Sequence, residues 1–254
     1  MKKIGFLAFF VVLTVGLYAQ NTSDFEIQGN DDGTMTILNY KGIAKDIVIP
    51  EKIFNMPVTR LREGAFKNKG LTSVTIPNTV SFIGDETFAS NQLTTVTIPE
   101  TVEYIGNSAF SGNRLTSITI PGNVVVIGSY AFRNNQLTSI IIPNSVTFIG
   151  QEAFNSNQLT NITLGTNVLY IGTEAFNGHR ATSLTVPNSV VYIGYDAFYT
   201  NNSGNLTTII IGKYVMFGGE GAFTNSRGFD TIYKNNDKRA GKYVYANNTW
   251  GYTP

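Results

Sequence analysis

Leu71-Thr72-Ser73-Val74-Thr75-Ile76-Pro77-Asn78-Thr79-Val80-Ser81-Phe82-Ile83-Gly84-Asp85-Glu86-Thr87-Phe88 is the stretch that decides the fold. Leu71, Val74 and Ile76 hold its first, fourth and sixth places, and the last two alternate with outward Ser73 and Thr75 as the faces of a strand do. Pro77 follows at once. Lacking a backbone N–H, it ends the ladder and opens a turn. Val80 to Gly84 reads as a second short strand, with Gly84 expected to supply a backbone angle that side-chained residues resist. Phe88 then fills the interior. The Ile-Gly pair recurs at Ile83, Ile105, Ile127, Ile149, Ile171 and Ile193, always 22 residues apart. Leu71, Leu93, Leu115, Leu137 and Leu159 keep the same step, as do Phe66, Phe88, Phe110, Phe132, Phe154, Phe176 and Phe198. The residue before each phenylalanine is alanine except at Thr87, as close packing beside a large ring requires.

A 22-residue period is that of a leucine-rich repeat, shorter than helical-pair repeats of about 33 residues. Each unit offers about six inward apolar side chains worth roughly 1.5–3 kcal/mol apiece, too little to order one unit alone, so the units must stack. The expected fold is mainly β: a solenoid of about eight 22-residue units with two short strands each, spanning residues 46–223. Residues 20–45 read as a covering hairpin, with Phe25–Gln28 and Thr34–Ile37 joined through Gly29-Asn30-Asp31-Asp32-Gly33. Residues 224–254 read as a small strand-rich cap containing Thr231-Ile232-Tyr233, Lys242–Tyr245 and Trp250–Tyr252. The last unit carries an insertion around Asn202 to Asn205.

Met1-Lys2-Lys3, the apolar run Ile4–Leu17 and then Tyr18-Ala19-Gln20 have the layout of a secretory signal, with cleavage expected after Ala19. The expected location is therefore extracellular, at the cell surface or in the periplasm, and no later run is long enough to span a membrane. Cleavage would remove two of the 18 basic side chains and none of the 17 acidic ones, leaving a charge close to zero. No broad basic footprint for nucleic acid or anionic lipid exists. The chain has no cysteine, which excludes disulfides, thiolate metal sites and a cysteine nucleophile.

The string at 71–77 with Val80, Ile83-Gly84 and Phe88 resembles the BspA-like leucine-rich-repeat proteins of bacterial surfaces. The lead-in Val48–Ile53 with Pro57-Val58-Thr59 and Gly64-Ala65-Phe66 is similar to that family's first unit, so the resemblance spans essentially the whole chain after the signal. It implies adhesion: binding of host matrix or plasma proteins, or contact between bacteria. The expected partner is thus an extracellular protein of host matrix or bacterial surface; a glycan ligand and an architectural envelope role are the alternatives.

No catalytic, cofactor or metal-binding residues are expected. The single histidine, His179, lies in Asn177-Gly178-His179-Arg180 and reads as turn filler, and a histidine-built zinc site needs more than one. The glycines never form a phosphate-binding loop. Asp85, Glu86, Glu152, Glu174 and Asp196 recur after Ile-Gly, but Asn107, Ser108, Ser129 and Tyr130 fill the same places elsewhere, which marks solvent-facing turn rather than a glycosidase pair. Two rows remain as candidate binding surfaces. One is the aromatic row Phe82, Tyr104, Phe148, Tyr170, Tyr192 and Phe217, interrupted by Val126 and expected to be at least half exposed; it is either a stripe for partners or sugars or a ladder stiffening the sheet. The other is the hydroxyl-rich outer side of the first strands: Ser73, Thr75, Thr95, Thr97, Ser117, Thr119, Thr163, Ser183 and Thr185, with Asn161, Ile141 and Ile210 breaking its regularity. Exposed strands favour threonine on propensity alone.

Overall fold

The computed structural model describes residues 21–200 and 206–254, so the expected signal peptide and the insertion at 202–205 lie outside the described residues. In the described residues a short 3-10 turn at Thr22–Asp24 leads into a hairpin, β1 (Phe25–Gly29) and β2 (Met35–Tyr40), followed by β3 (Asp46–Val48), β4 (Lys52–Ile53) and β5 (Met56–Leu61). The repeats supply β6 (Ser73–Thr75), β7 (Phe82–Ile83), β8 (Tyr104–Ile105), β9 (Val126–Ile127), β10 (Ser139–Ile141) and β11 (Phe148–Ile149). They continue with β12 (Asn161–Thr163), β13 (Tyr170–Ile171), β14 (Ser183–Thr185), β15 (Tyr192–Ile193), β16 (Thr208–Ile211) and β17 (Met216–Phe217). A helix, α1 (Phe229–Asn235), and the hairpin β18 (Gly241–Ala246) and β19 (Thr249–Thr253) close the chain.

Each turn of this solenoid has three sides, and two are hydrogen-bonded without a break. On the return side, β1-β2-β5-β7-β8-β9-β11-β13-β15-β17 form one 11-stranded sheet with β4 paired to β5. Its repeat strands are parallel and in register, Ile83 against Ile105 and Ile105 against Ile127. On the phenylalanine side the N–H of Phe88, Phe110, Phe132, Phe154 and Phe176 each donates to the carbonyl of the next unit's alanine at 2.8 Å. The third side, made by the first strands, is discontinuous. There β3-β6, β10-β12 and β14-β16-β18-β19 are separate sheets, and Thr95–Thr97 and Ser117–Thr119 belong to no strand. The expectation of two strands in every unit therefore fails in two units. Val96 and Ile118 there are only partly buried, whereas Val74, Ile140 and Ile162 are buried. The core rings stack at 5.1–5.4 Å between centroids, an offset stack beside backbones about 4.8 Å apart.

The Ile-Gly glycines act differently from the expectation. Gly106, Gly128, Gly150, Gly172 and Gly194 do not take left-handed angles; a Cβ on Gly150 would instead lie 2.4 Å from the backbone nitrogen of Ser129, and one on Gly194 2.3 Å from that of Thr173. They are glycine because the preceding turn's backbone occupies the space. The positive φ falls two residues later, on Glu86, Ser108, Tyr130, Glu152, Glu174 and Asp196. The alanines before the phenylalanines are fully buried, and Thr87, the exception, donates its hydroxyl to the carbonyl of Gly84 at 2.7 Å.

A second, polar ladder runs through the interior. Asn91, Asn113, Asn135 and Asn157 are buried one turn apart. The Asn91 amide donates to the carbonyls of Phe66 and Phe88 at 2.9 Å, and its oxygen accepts from the N–H of Leu71 at 3.0 Å. Asn113, Asn135 and Asn157 repeat the arrangement one unit on each time. His179 stands at the next place in this row. It is not turn filler: it is 2% exposed, its Nδ1 accepts from the N–H of Ala181 at 3.1 Å, and its Nε2 lies 3.1 Å from the carbonyl of Phe198. That pairing requires the neutral ring with its proton on Nε2. Burial, partly offset by the bond to Phe198, holds its pKa down at about 4 from an ordinary 6.5.

The closing segment also departs from expectation. Thr231-Ile232-Tyr233 is helical, because Phe229 and Tyr233, four residues apart, fall on the one face of α1 that covers the last turn. Asp230 lies buried on that helix and accepts from the N–H groups of Ala222 at 3.1 Å and Phe223 at 3.2 Å. Its carboxylate thus takes the role that the next unit's carbonyl plays in every earlier turn. Lys242–Tyr245 and Trp250–Tyr252 lie in β18 and β19 as read.

Two stability measurements follow. Gly150→Ala, which forces a methyl into Ser129, lowers stability by about 1–3 kcal/mol in a denaturant melt; an unchanged midpoint refutes the close-approach account. The unfolded chain protonates His179 near pH 6.5 and the folded chain near 4, so the neutral ring's contribution is complete above pH 6.5 and is lost as pH falls toward 4. Wild type should lose about 3 kcal/mol more than His179→Asn across that window, read from paired thermal melts.

Candidate binding face

The return sheet turns one row of side chains outward between the buried valines and isoleucines. Phe82, Tyr104, Val126, Phe148, Tyr170 and Tyr192 occupy it, one per turn, fixed by the parallel register of β7 to β15. Phe217 does not. Tyr192 pairs with Met216 and Ile193 with Phe217, because the last unit has one residue fewer between Val215 and Gly218 than between Val80 and Gly84. Phe217 therefore takes the inward isoleucine place and packs on Phe223 and Tyr233, with centroids 5.6 and 5.3 Å away. Met216, 55% exposed, ends the outer row in its stead.

The rings are less open than expected. Phe82 and Phe148 are 41% and 37% exposed, and Tyr104, Tyr170 and Tyr192 are half-buried. Val126 divides them into two stacks. Phe82 and Tyr104 lie 5.6 Å apart at 8°; Phe148, Tyr170 and Tyr192 follow at 5.0 and 4.7 Å, inclined by 6° and 10°. In so parallel a stack each ring covers its neighbour's face, so the row presents edges, and only the end rings keep a free face. Burial raises the phenol pKa of Tyr104, with Asp85 adding to it, and that of Tyr170, with Tyr192 adding to it, so both stay neutral hydroxyls.

Along its length the face changes character. In its C-terminal half the neighbouring outward row is apolar except at half-buried Thr147, with Val125, Leu169 and Val191 exposed, and Met216 follows Tyr192 beside it. In its N-terminal half the same row carries Ser81 and Glu103, and an open cleft of about 600 Å³ lies between the β1–β2 hairpin, β5 and the first repeats. Arg60, Arg62, Glu63, Phe82, Asp85 and Tyr104 line it.

On the third side, Ser73, Thr75, Thr95, Thr97, Ser117, Thr119, Thr163, Ser183 and Thr185 all point to solvent as read, but the break in the ladder distributes them over separate patches. The acids after Ile-Gly are half-buried turn residues rather than free ones. Arg133 holds Glu152 at 3.0 Å, and Glu174 accepts from Asn155 at 3.1 Å and Asn177 at 3.2 Å. Burial, then Glu152 and Asp196, raises the pKa of Glu174. Among the described residues no group of three metal-ligating side chains converges, and no helix is long and apolar enough to cross a membrane.

In-register stacking, a buried asparagine ladder and a 22-residue step define a leucine-rich-repeat solenoid. The chain belongs to the BspA type leucine-rich repeat family, whose repeat region matches residues 59–181 and 169–250 in 6 copies. Members are generally protein-binding or surface proteins and typically not enzymes. The fold is similar to that of a leucine-rich repeat protein of T. pallidum, at 20% identity and a TM-score of 0.57 over 86% of this chain and 95% of that one. It is also similar to a leucine-rich repeat protein of Bacteroides ovatus, at 22% identity and a TM-score of 0.53 over 83% and 70% of the two chains. These likenesses establish the fold alone. No curated protein matches the sequence.

Proposed function

We propose that this chain is an exported, surface-displayed adhesion protein that holds an extracellular protein, of host matrix or of a neighbouring bacterial cell, against the C-terminal half of its return sheet. The carrying observation is the pairing of two outward rows there. Exposed Leu169, Val191 and Met216 lie beside the edge-on stack of Phe148, Tyr170 and Tyr192, and exposed Val125 lies beyond Thr147. Contiguous exposed apolar surface on a folded domain marks an interaction site. Rings already fixed by stacking lose little further freedom on binding, which suits them as interface anchors. The secretory layout of residues 1–19 supports export.

Phe148→Ser, Tyr170→Ser and Tyr192→Ser combined should weaken binding to arrayed matrix and bacterial surface proteins by at least about tenfold while leaving far-ultraviolet dichroism unchanged. Binding should survive periodate oxidation of the array and the change of Thr163 and Thr185 to lysine. Full binding by the ring variant refutes the assignment, and loss with the lysine variant moves the site to the hydroxyl-bearing side.

A further inference from the structure

The N-terminal half of the same face differs in kind from the apolar half. Phe82 is the first ring of its stack: Tyr104 covers one face at 5.6 Å, and the register of β5 and β7 sets Arg60 beside the other. The Arg60 guanidinium is directed to Asp32 at 3.5 Å rather than onto the ring, and Phe82 stays 41% exposed. A flat aromatic face is thereby left open in the wall of a cleft of about 600 Å³, within the usual range for small-ligand sites.

The polar groups around that ring divide into fixed and free. Asp85 is fixed by the N–H of Asn107 at 2.7 Å and its amide at 3.0 Å, and Asn30 by Thr34 at 2.8 Å and Thr36 at 3.0 Å. The side chains of Gln28, Arg62 and Glu63 are exposed in the cleft and have no ion pair or side-chain hydrogen bond among the described residues. A planar amide, a guanidinium and a carboxylate together offer paired donors and paired acceptors. With Arg60 balanced by Asp32, and Arg62 by Glu63 and Asp85, the lining has no excess positive charge to attract an anion.

We propose that this cleft binds a neutral pyranose unit of a glycan, its C–H face on Phe82 and its vicinal hydroxyls on Arg62, Glu63 and Gln28. Neutral sugars carry both an apolar face and hydroxyls that donate and accept, so the open ring and the mixed polar rim match them together. The site is separate from the apolar half of the face, and the two can be lost independently.

Saturation-transfer difference spectra of the full protein with maltotetraose, mannotetraose and tetra-N-acetylchitotetraose should show binding of at least one, by one sugar ring. Calorimetry should place its affinity in the millimolar range or tighter. Phe82→Ser and, separately, Arg62→Ala should each weaken it at least about tenfold, while the Phe148, Tyr170 and Tyr192 serine variant binds the sugar as wild type does. Both substituted positions are exposed, and unchanged thermal melts confirm folding. The proposal is overturned if none of these sugars binds, if Phe82→Ser binds normally, or if a sialylated trisaccharide binds in place of the neutral ones.

Discussion

Every interior position of this solenoid has a near copy of itself on either side, displaced by about 5 Å. A side chain there must therefore be complementary to its own translated image, and the glycine after each repeat isoleucine fixes how far that translation goes. At Gly150 and Gly194 the neighbouring backbone occupies the volume of the missing methyl. Once that distance is set, few groups satisfy the condition. Flat rings meet it by offset stacking, as Phe88, Phe110 and Phe132 do at 5.3 and 5.4 Å. Primary amides meet it by donating to two successive turns and accepting from one, as Asn113 does. The N–H of each phenylalanine and the carbonyl of the next unit's alanine meet it through the backbone alone.

The same condition explains what the sequence revealed. Leucine, isoleucine and phenylalanine at a constant step announce the period, because a self-stacking core repeats its large residues most visibly, and the fold followed from that step. The asparagine ladder is equally periodic at Asn91, Asn113, Asn135 and Asn157, but polar residues in turns are expected to face water, so the step alone does not place them, or His179 in the same row, in the interior. The role of the glycines depends on the neighbouring turn, which a single unit does not display. The break at Thr95–Thr97 and Ser117–Thr119 has no signature, since those residues match the strands that do form. The misplacement of Phe217 was avoidable: Val215-Met216-Phe217-Gly218 is one residue short, and Gly218 fixes which of its residues turns inward.

The candidate face was legible as a row but not as a surface. Identity of residue at one step says that rings will meet; whether they offer faces or edges depends on their tilt, and the tilts of 6° to 10° hide the faces. Val126 then matters as much as the rings do. By interrupting the stack it separates a half bordered by aliphatic side chains from a half bordered by charge and a cleft, so one sheet carries two chemically distinct regions.

Asp230 has a consequence beyond the stability of its own turn. A column of identical strands in register, with identical side chains stacked along it, is also the architecture of a growing fibril, and its terminal N–H groups are the growth site. By placing a carboxylate where an incoming backbone carbonyl would dock, and laying a helix over the last rings, the chain converts a template into a dead end. On that side the last turn therefore offers a further copy no free amide with which to continue the ladder.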